Sequence, residues 1–250
     1  MSHESEYTVE ATKTSLTLLE ALVDADAPMG VTPLAERVGS SKSVVHNHLS
    51  TLRTCGYVTK EGDAYRPSLR TLNLGVRTRE RSAVYRVAAP SLDNLAAATG
   101  ETAVLFVAEE RWGVPAYVAE RPSGRRPAFE EGDRFPLSAT APGKSILASL
   151  SEDRVAEVLD ATELPADTDV DELRREIRRI RDDGVAFCRE EQFEGVVGVA
   201  APIESGADRT PAALSVYGPS DRLRGRHLEE DVTGQVLSTA KSIQVELASE

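Results

Sequence analysis

The sequence predicts an α+β protein in which a mostly helical N-terminal part precedes a part that mixes strands and helices. Apolar residues up to position 99 recur mainly at helical spacing, and from Glu101 onward runs with strand-like alternation join helical segments. Charge also divides the 250 residues, since 29 basic and 41 acidic residues give a net charge of −12. The segment 37–79 nevertheless contains eight basic and two acidic residues. Such a local excess is typical of an element that binds nucleic acid.

The first expected element is an amphipathic helix over residues 9–23. Its apolar side chains at Leu16, Leu19, Leu22 and Val23 are expected to form the buried face.

Residues 31–58 have the pattern of two short helices separated by a tight turn. Gly39 ends the first helix, because glycine tolerates the positive φ of a helix C-terminus, and Ser40 and Ser41 supply oxygens that cap the second helix. The side chains expected to face the core are Leu34, Ala35 and Val38 in the first helix and Val45, Leu49 and Leu52 in the second.

The second helix of this pair has a polar face opposite its apolar stripe. Its side chains recur at i, i+3, i+4 and i+7 and have hydrogen-bonding groups that suit base edges and phosphates. With the flanking polar and basic side chains, the candidate DNA-binding residues are Ser41, Lys42, Ser43, His46, Asn47, Ser50, Arg53, Lys60 and Arg66. The alternative is a helical hairpin that only packs against another element, and the basic segment argues against it.

A strand beginning at 56–58 and a tight turn at Gly62-Asp63 predict a wing. Residues 8–67 are therefore expected to form a winged helix-turn-helix DNA-binding domain. Residues 68–82, in which leucines alternate with arginines, are expected to form a linker helix to a second domain over 83–250.

The second domain begins with a helix over residues 83–99, in which Pro90 predicts a kink or a restart. Strands are expected in 102–110, 113–121, 127–137, 185–191, 195–205 and 212–219, with turns at 111–113 and 123–126. Helices are expected at 143–150, 152–160, 171–183 and 226–248. Antiparallel hairpins among them favour α+β over a doubly wound sheet.

Several classes of protein are excluded by what the sequence lacks. No apolar run approaches the roughly 18 residues of a membrane span and no secretory signal is visible, so we expect a cytoplasmic protein without a membrane partner. Cys55 and Cys188 lack the spacing of a disulfide framework or a zinc site, and His46 and His48 do not face each other on a helix. No G-x-S-x-G, H-E-x-x-H or Cys/His pair is present, so neither catalysis nor a metal or cofactor is expected.

The acidity has a pattern of its own, since only five residues are Lys against 24 Arg. This resembles the proteins of salt-in halophiles such as halophilic archaea, and the alternative is a GC-rich genome that replaces Lys by Arg. Because molar salt weakens phosphate contacts, a halophilic DNA-binding protein depends more on direct contacts with bases.

Six segments of the chain, in order, resemble the IclR family of transcriptional regulators. They are KTSLTLLEAL (13–22), LAERVGSSKSVVHNHLSTLRTCGYV (34–58), YRPSLRTLNLG (65–75), PLSATAPGKSILASL (136–150), GVAFCREEQFEGVVGVAAPI (184–203) and AALSVYGPSDRL (212–223). The resemblance implies a winged helix-turn-helix, a linker helix and a GAF-like α/β domain that binds a small effector. It also implies a homodimer or homotetramer on double-stranded DNA, whose two-fold symmetry matches a pseudo-palindromic operator.

The chain departs from this pattern in two places. Asn47 stands where many members have Arg, and His48 stands where they often have Leu. Asn pairs bidentately with adenine, so the preferred base at that position is expected to differ. The Asp-rich run of some members reads Cys-Arg-Glu-Glu over residues 188–191, where we expect the two glutamates to be solvated or paired with Arg189.

The segment 140–145 (TAPGKS) ends like a phosphate-binding loop, but Ser138 occupies a position where that loop requires Gly. A helix starting near Gly143 would instead offer free N–H groups to a carboxylate, and by resemblance this loop lines the family's effector pocket. The alternative is that its small residues only permit close packing between helix and sheet.

With the resembling strands, the candidate effector-binding residues are Thr102, Val104, Thr140, Ala141, Gly143, Cys188, Glu190, Ala201, Ser215 and Tyr217. We therefore predict a transcriptional regulator controlled by a small organic effector, a carboxylate or a metabolite of sugar catabolism. The alternatives are an architectural DNA-binding protein whose second domain holds no ligand, and an enzyme.

Overall fold

The computed structural model describes residues 8–120, 129–165, 168–191, 193–204 and 210–249. These residues form two compact units with a boundary between Arg79 and Glu80. Helices dominate the first unit and a six-stranded sheet with helices forms the second, which confirms the predicted α+β class.

The first unit combines helices with a small antiparallel sheet of strand order β1-β3-β2. Its elements are α1 (Glu10–Val23), β1 (Met29–Gly30), α2 (Val31–Arg37), α3 (Lys42–Thr54), β2 (Val58–Glu61), β3 (Ala64–Pro67) and α4 (Arg70–Glu80). Strands β2 and β3 form the wing hairpin around the predicted turn, since Glu61 pairs with Ala64. The helix predicted between the two domains is α4, and it ends at the boundary between the units.

The core of the first unit joins α1, α2 and α3. The predicted apolar positions of α2 and α3 are confirmed: Leu34, Ala35, Val45, Leu49 and Leu52 are buried, and Val38 packs against them. The prediction for α1 is wrong in part, because Leu16 and Val23 are 54 % and 57 % exposed. Its run of closely spaced leucines allows more than one helical stripe, and the helix buries Leu18, Ala21 and Leu22.

The second unit is built on an antiparallel sheet of strand order β6-β5-β4-β9-β8-β7. Its strands are β4 (Thr102–Glu109), β5 (Trp112–Ala119), β6 (Phe135–Pro136), β7 (Ala186–Arg189), β8 (Val196–Ile203) and β9 (Ala212–Pro219). Its helices are α5 (Ala83–Thr99), α6 (Ala141–Ser149), α7 (Glu152–Asp160), α8 (Val170–Asp183) and α9 (Thr233–Ser249), with a 3-10 turn at Leu137–Ala139 and a π-helical turn at His227–Val232. Strands β8 and β9 form the predicted hairpin, from Val196 opposite Pro219 to Ile203 opposite Ala212.

The helices cover both faces of this sheet. Helices α5 and α9 pack on one face in a core that includes Val199, Leu214 and Ile243. Helices α6, α7 and α8 form a second core on the other face with Phe106 and Tyr217. A strand in the middle of the sheet is therefore buried on both sides, which explains the long apolar runs of β8 and β9.

Three details differ from the sequence-based expectation. Helix α5 runs through Pro90 without a break, since Pro90 is exposed and the opposite face of the helix packs on the sheet. Only Phe135–Pro136 of the strand predicted over 127–137 is a strand among the described residues, and the turn predicted at 123–126 lies outside them. The C-terminal helix begins with the π-helical turn before it becomes α9.

Candidate functional site

The polar face of α3 is exposed along the helix. Ser41 caps the helix, because its Oγ accepts a hydrogen bond from the Val44 N–H at 3.3 Å. The apolar stripe of α3 lies in the core, so the opposite face is left to a partner or to solvent. The predicted DNA-binding residues on α3 are all exposed: Lys42, Ser43, His46, Asn47, Ser50 and Arg53.

Two cations on α3 are available to a polyanion. Neither Lys42 nor Arg53 forms an ion pair with any residue that the structure describes. The hydroxyls of Thr51 and Thr54, by contrast, donate to backbone carbonyls one turn earlier, at 3.1 and 2.9 Å. The two threonine hydroxyls are therefore used within the helix, while the exposed side chains of Ser43, His46, Asn47 and Ser50 remain open to contact.

The two basic residues predicted to act from the wing are already paired. Arg66 Nη2 lies 2.6 Å from Glu61 Oε1, and Lys60 Nζ lies 3.9 Å from Asp63 Oδ1. Lys60 Nζ also lies 5.5 Å from the centre of the Tyr65 ring. Exposed ion pairs contribute about 0–1 kcal/mol, so a DNA phosphate can replace either carboxylate at small cost.

His48 is separate from the polar face. Its Nδ1 lies 2.8 Å from Ser15 Oγ on α1, in a partly buried contact. Of the two departures from the IclR pattern in this helix, the one at His48 is thus a contact inside the unit. Asn47, the other departure, is exposed and belongs to the polar face.

No helix within the described ranges is long and apolar enough to cross a membrane. The same ranges contain no group of three or more His, Cys, Asp or Glu side chains placed to hold a metal ion.

In the second unit, the loop predicted to line an effector pocket leads into α6. Thr140 caps this helix: its Oγ1 accepts the Gly143 N–H at 2.9 Å and its carbonyl accepts the Lys144 N–H at 2.8 Å. The helix begins at Ala141 rather than near Gly143, and Pro142 has no N–H, so its N-terminus has few amides left for a ligand. A Cβ on Gly143 would lie 2.7 Å from Thr140 Oγ1, so close packing requires glycine here.

The sheet face covered by α6 brings together half of the predicted effector-binding residues. Thr102 pairs with Tyr217 and Val104 with Ser215 across β4 and β9, while Cys188 lies on β7 in the same core. These five side chains are Thr102, Val104, Cys188, Ser215 and Tyr217, and all are buried.

Two predicted effector-binding residues are not brought to this face. Ala201 lies in the core on the other side of the sheet, under α5 and α9. Alternating residues of a strand point to opposite faces, and Ala201 is out of phase with Ala200, which joins the α6 core. Glu190 is exposed, has a φ of 64°, and accepts the Gly195 N–H at 2.8 Å. We therefore remove both from the candidate site.

Tyr217 has the most unusual environment on this face. Its side chain is 1 % exposed, and its hydroxyl has no hydrogen-bond partner among the described residues. Burial raises the pKa of Tyr217 well above its ordinary value, and the nearby Cys188 and Glu191 add to this effect. Ser145 on α6 is the other fully buried residue whose hydroxyl lacks a partner in the described ranges. Buried polar groups are nearly always satisfied, so these two hydroxyls are available to a water or to a ligand.

The Tyr217 ring packs against Phe129 and against the backbone of the adjacent strand. The centre of the Phe129 ring lies 5.2 Å from that of Tyr217, and the Phe193 ring lies 5.1 Å from Phe129. On the adjacent strand, a Cβ on Gly198 would come within 2.7 Å of Tyr217 Cε1. The Tyr217 ring thus occupies the space that a side chain at position 198 would need.

Lys144 is the one buried cation among the described residues, at 4 % exposure. Its Nζ donates to Glu176 Oε1 on α8 at 2.5 Å and to Glu191 Oε2 at 3.0 Å. Burial lowers the pKa of Lys144, but the hydrogen bond to Glu176 and the two carboxylate charges outweigh it and raise the pKa above its ordinary value. Glu191 was expected to be solvated or paired with Arg189, but Arg189 contacts Glu229 instead, at 3.3 Å.

Sequence reasoning treated Lys144 only as part of an incomplete phosphate-binding loop. Its place in an otherwise apolar, small-residue helix, APGKSILAS, was the signal that a charged side chain would be buried.

A surface groove of about 470 Å³ lies between α5 and α9, lined mainly by small polar side chains such as Ser91, Asn94 and Ser238. None of the predicted effector-binding residues lines it.

Two family models match successive parts of the chain. A model of the IclR helix-turn-helix domain matches residues 14–62, and one described as bacterial transcriptional regulator IclR C-terminal matches residues 76–245. The HTH-type transcriptional regulator KdgR of Escherichia coli is 31 % identical over 222 residues, covering 86 % of this chain and 84 % of that protein.

Solved structures have the same architecture. The IclR of Thermotoga maritima superposes with a TM-score of 0.81 at 25 % identity, covering 95 % of this chain and 98 % of that one. An IclR homologue of Microbacterium hydrocarbonoxydans, complexed with 4-hydroxybenzoate, gives a TM-score of 0.80 at 19 % identity over 96 % and 100 % of the two chains. With both family models matched in order, the chain belongs to the IclR family of DNA-binding transcriptional regulators, which are not enzymes.

Proposed function

We propose that α3 reads the operator through its exposed polar face. Asn47 and its neighbours Ser43, His46 and Ser50 contact base edges, whereas Lys42 and Arg53 contact phosphates. One observation supports this assignment. Lys42 and Arg53 have no ion-pair partner in the described ranges, and they lie beside exposed side chains with amide, imidazole and hydroxyl groups. Ser41 keeps its role as the N-cap of α3. Lys60 and Arg66 contact phosphates once their ion pairs with Asp63 and Glu61 are broken.

The protein acts as a homodimer on a pseudo-palindromic operator. Support comes from exposed leucines on and beside α4, with Leu69, Leu72 and Leu74 exposed by 83 %, 60 % and 47 %. Large apolar side chains clustered on one helix indicate a surface that another protein covers. A second copy of this chain is the partner that also supplies the second recognition helix for the other half-site.

The effector binds in the second unit between α6 and the sheet, where two hydroxyls are buried without partners in the described ranges. The ligand is a small organic acid, whose carboxylate pairs with the buried cation Lys144 in place of one of the two glutamates that it now contacts. The homologue complexed with 4-hydroxybenzoate provides a precedent for such a ligand in this fold. The buried polar groups favour a ligand-controlled regulator over an architectural DNA-binding protein, whose second domain would need no such groups.

Binding of the effector changes operator affinity by altering how the two recognition helices are held, through residues 68–82. A coupling free energy of about 1–3 kcal/mol is enough for such regulation. The protein works in the cytoplasm, and the excess of carboxylates suits a cell with high internal salt.

Footprinting of the full chain on its own upstream intergenic DNA, in molar KCl and with excess competitor DNA, tests this function. We expect a defined, pseudo-palindromic footprint. Binding that is lost steeply between low and molar KCl would contradict the emphasis on base contacts, because counterion release would then carry most of the affinity. No specific footprint on this DNA or at any site found by genome-wide occupancy would contradict the assignment of α3.

A further inference from the structure

The cluster around Lys144 holds one positive and two negative charges. Glu176 and Glu191 both accept hydrogen bonds from Nζ, at 2.5 and 3.0 Å, so two of the three ammonium hydrogens are used. The cluster is therefore net negative, and an added anion is repelled unless one carboxylate leaves. This constraint decides how an anionic ligand can reach the cation.

The two carboxylates differ in how firmly they are held. Glu176 belongs to the middle of α8, and its side chain is 32 % exposed. Glu191 follows β7 outside any helix or strand, directly after Glu190 with its left-handed backbone, and its side chain is 48 % exposed. Moving Glu191 into water costs less, because it is already half solvated and makes the longer hydrogen bond.

The unsatisfied hydroxyl of the site belongs to the core on which the Lys144 helix packs. Tyr217 lies in that core with residues of α6 and with Cys188 of β7, the strand that Glu191 follows, and its buried hydroxyl has no hydrogen-bond partner among the described residues. A ligand that takes the place of the Glu191 carboxylate on Lys144 therefore comes close to a group that lacks a partner. A ligand with a second polar atom gains affinity by forming a hydrogen bond with such a group.

We propose that Lys144 anchors the carboxylate of the effector and that Glu191 occupies this anchor until the effector displaces it. The proposal rests on the proposed function, since it takes the second unit to be the effector site. The effector is then a small organic acid with a second hydrogen-bonding group for Tyr217. Glu191 sets the affinity threshold, because every ligand must compete with an intramolecular carboxylate.

The test is the affinity of the full-length protein for carboxylates and their uncharged amides. The probes are acetate against acetamide and 4-hydroxybenzoate against 4-hydroxybenzamide, measured by calorimetry and by ligand-induced thermal stabilisation. Glu191→Gln removes the competing charge and keeps the shape of the side chain. Glu190→Gln is the matched control, since it removes the neighbouring charge from a residue that bonds Gly195.

We expect Glu191→Gln to bind at least one carboxylate roughly two- to fivefold more tightly than the wild type, with the amides unchanged. Glu190→Gln should bind like the wild type. Lys144→Met should lose the preference for carboxylate over amide, and circular dichroism shows whether it folds. If that variant does not fold, the comparison of the two glutamate variants decides alone.

Three results would overturn the proposal: unchanged carboxylate affinity in Glu191→Gln, an equal gain for the amides, or no carboxylate-specific binding in either protein. Operator binding by the same proteins distinguishes failure of this proposal from failure of the proposed function. If a carboxylate shifts operator affinity equally in the wild type and in Glu191→Gln, the protein is a ligand-controlled regulator but Glu191 does not compete with the ligand for Lys144. A wild-type protein without operator binding contradicts the regulator itself.

Discussion

Replacing Tyr217 by Phe is expected to stabilise the second unit while weakening the binding of its effector. The Tyr217 side chain is 1 % exposed and its hydroxyl has no partner in the described part of the chain, so the folded state bears the desolvation cost of that hydroxyl. This cost is about 1–3 kcal/mol for a buried unsatisfied group. Phenylalanine keeps the ring and its contact with Phe129 at 5.2 Å, so little packing is lost. We therefore expect the free energy of unfolding to rise by about 1 kcal/mol, or about 2–4 °C in melting temperature.

Tyr117→Phe is the matched control. The Tyr117 hydroxyl donates to Asp93 Oδ1 at 2.8 Å, so removing it should destabilise the unit, by about 0.5–1.5 kcal/mol. Urea unfolding followed by the fluorescence of Trp112, the single tryptophan of the chain, reports on the second unit. A Tyr217→Phe protein less stable than the wild type would refute the reasoning, because it would mean that the hydroxyl has a favourable partner in solution.

Three further predictions concern recognition, packing and pH. Asn47→Ala should relax base preference at one position of each half-site, by about 1–3 kcal/mol of discrimination. Arg53→Ala should instead weaken binding to all sequences and reduce the slope of log affinity against log salt concentration by about 1. Identical effects of the two variants in quantitative footprinting would contradict the split between base and phosphate contacts. Gly143→Ala should destabilise the second unit by roughly 1–3 kcal/mol in urea unfolding, because the Cβ of the alanine would collide with Leu137 and Thr140. An unchanged free energy of unfolding would show that the turn before α6 can relax. Burial and Asp93 raise the pKa of Tyr117 to about 12, so the stabilisation due to its protonated hydroxyl is complete below pH 10, the ordinary pKa, and is lost as the pH rises from 10 to 12. Tyr117→Phe should therefore lose less stability than the wild type over this range. An equal loss in the two proteins would contradict the raised pKa of Tyr117.

The fold could be predicted from the sequence where local signals and tertiary packing agree. The helix-turn-helix core followed from the spacing of Val45, Leu49 and Leu52, which leaves only one apolar stripe on α3. The buried face of α1 did not, because Leu16, Leu18, Leu19 and Leu22 allow several stripes and only contacts with α2 and α3 select one. Helix α5 continues past a proline for the same reason: packing on the sheet outweighs a local signal.

The candidate site was predicted less completely than the fold. Strand alternation placed Ser215 and Tyr217 on one face, but the face to which Ala201 points depends on the register of β8. The partners of Lys144 come from residues 32 and 47 positions away, and no local pattern indicates such contacts. The exposed polar face of α3 was easier to predict, since a single helix carries it.

The close approach of Gly198 and Tyr217 has a consequence for how this part of the core can change in sequence. Because a Cβ at position 198 would overlap the tyrosine ring, the two positions share one volume across neighbouring strands. A larger residue at 198 is accommodated only after 217 has become small, whereas a smaller residue at 217 alone leaves a cavity in the core. The order of substitutions is thereby restricted: a redesign of this core begins at 217 and changes 198 as the second step.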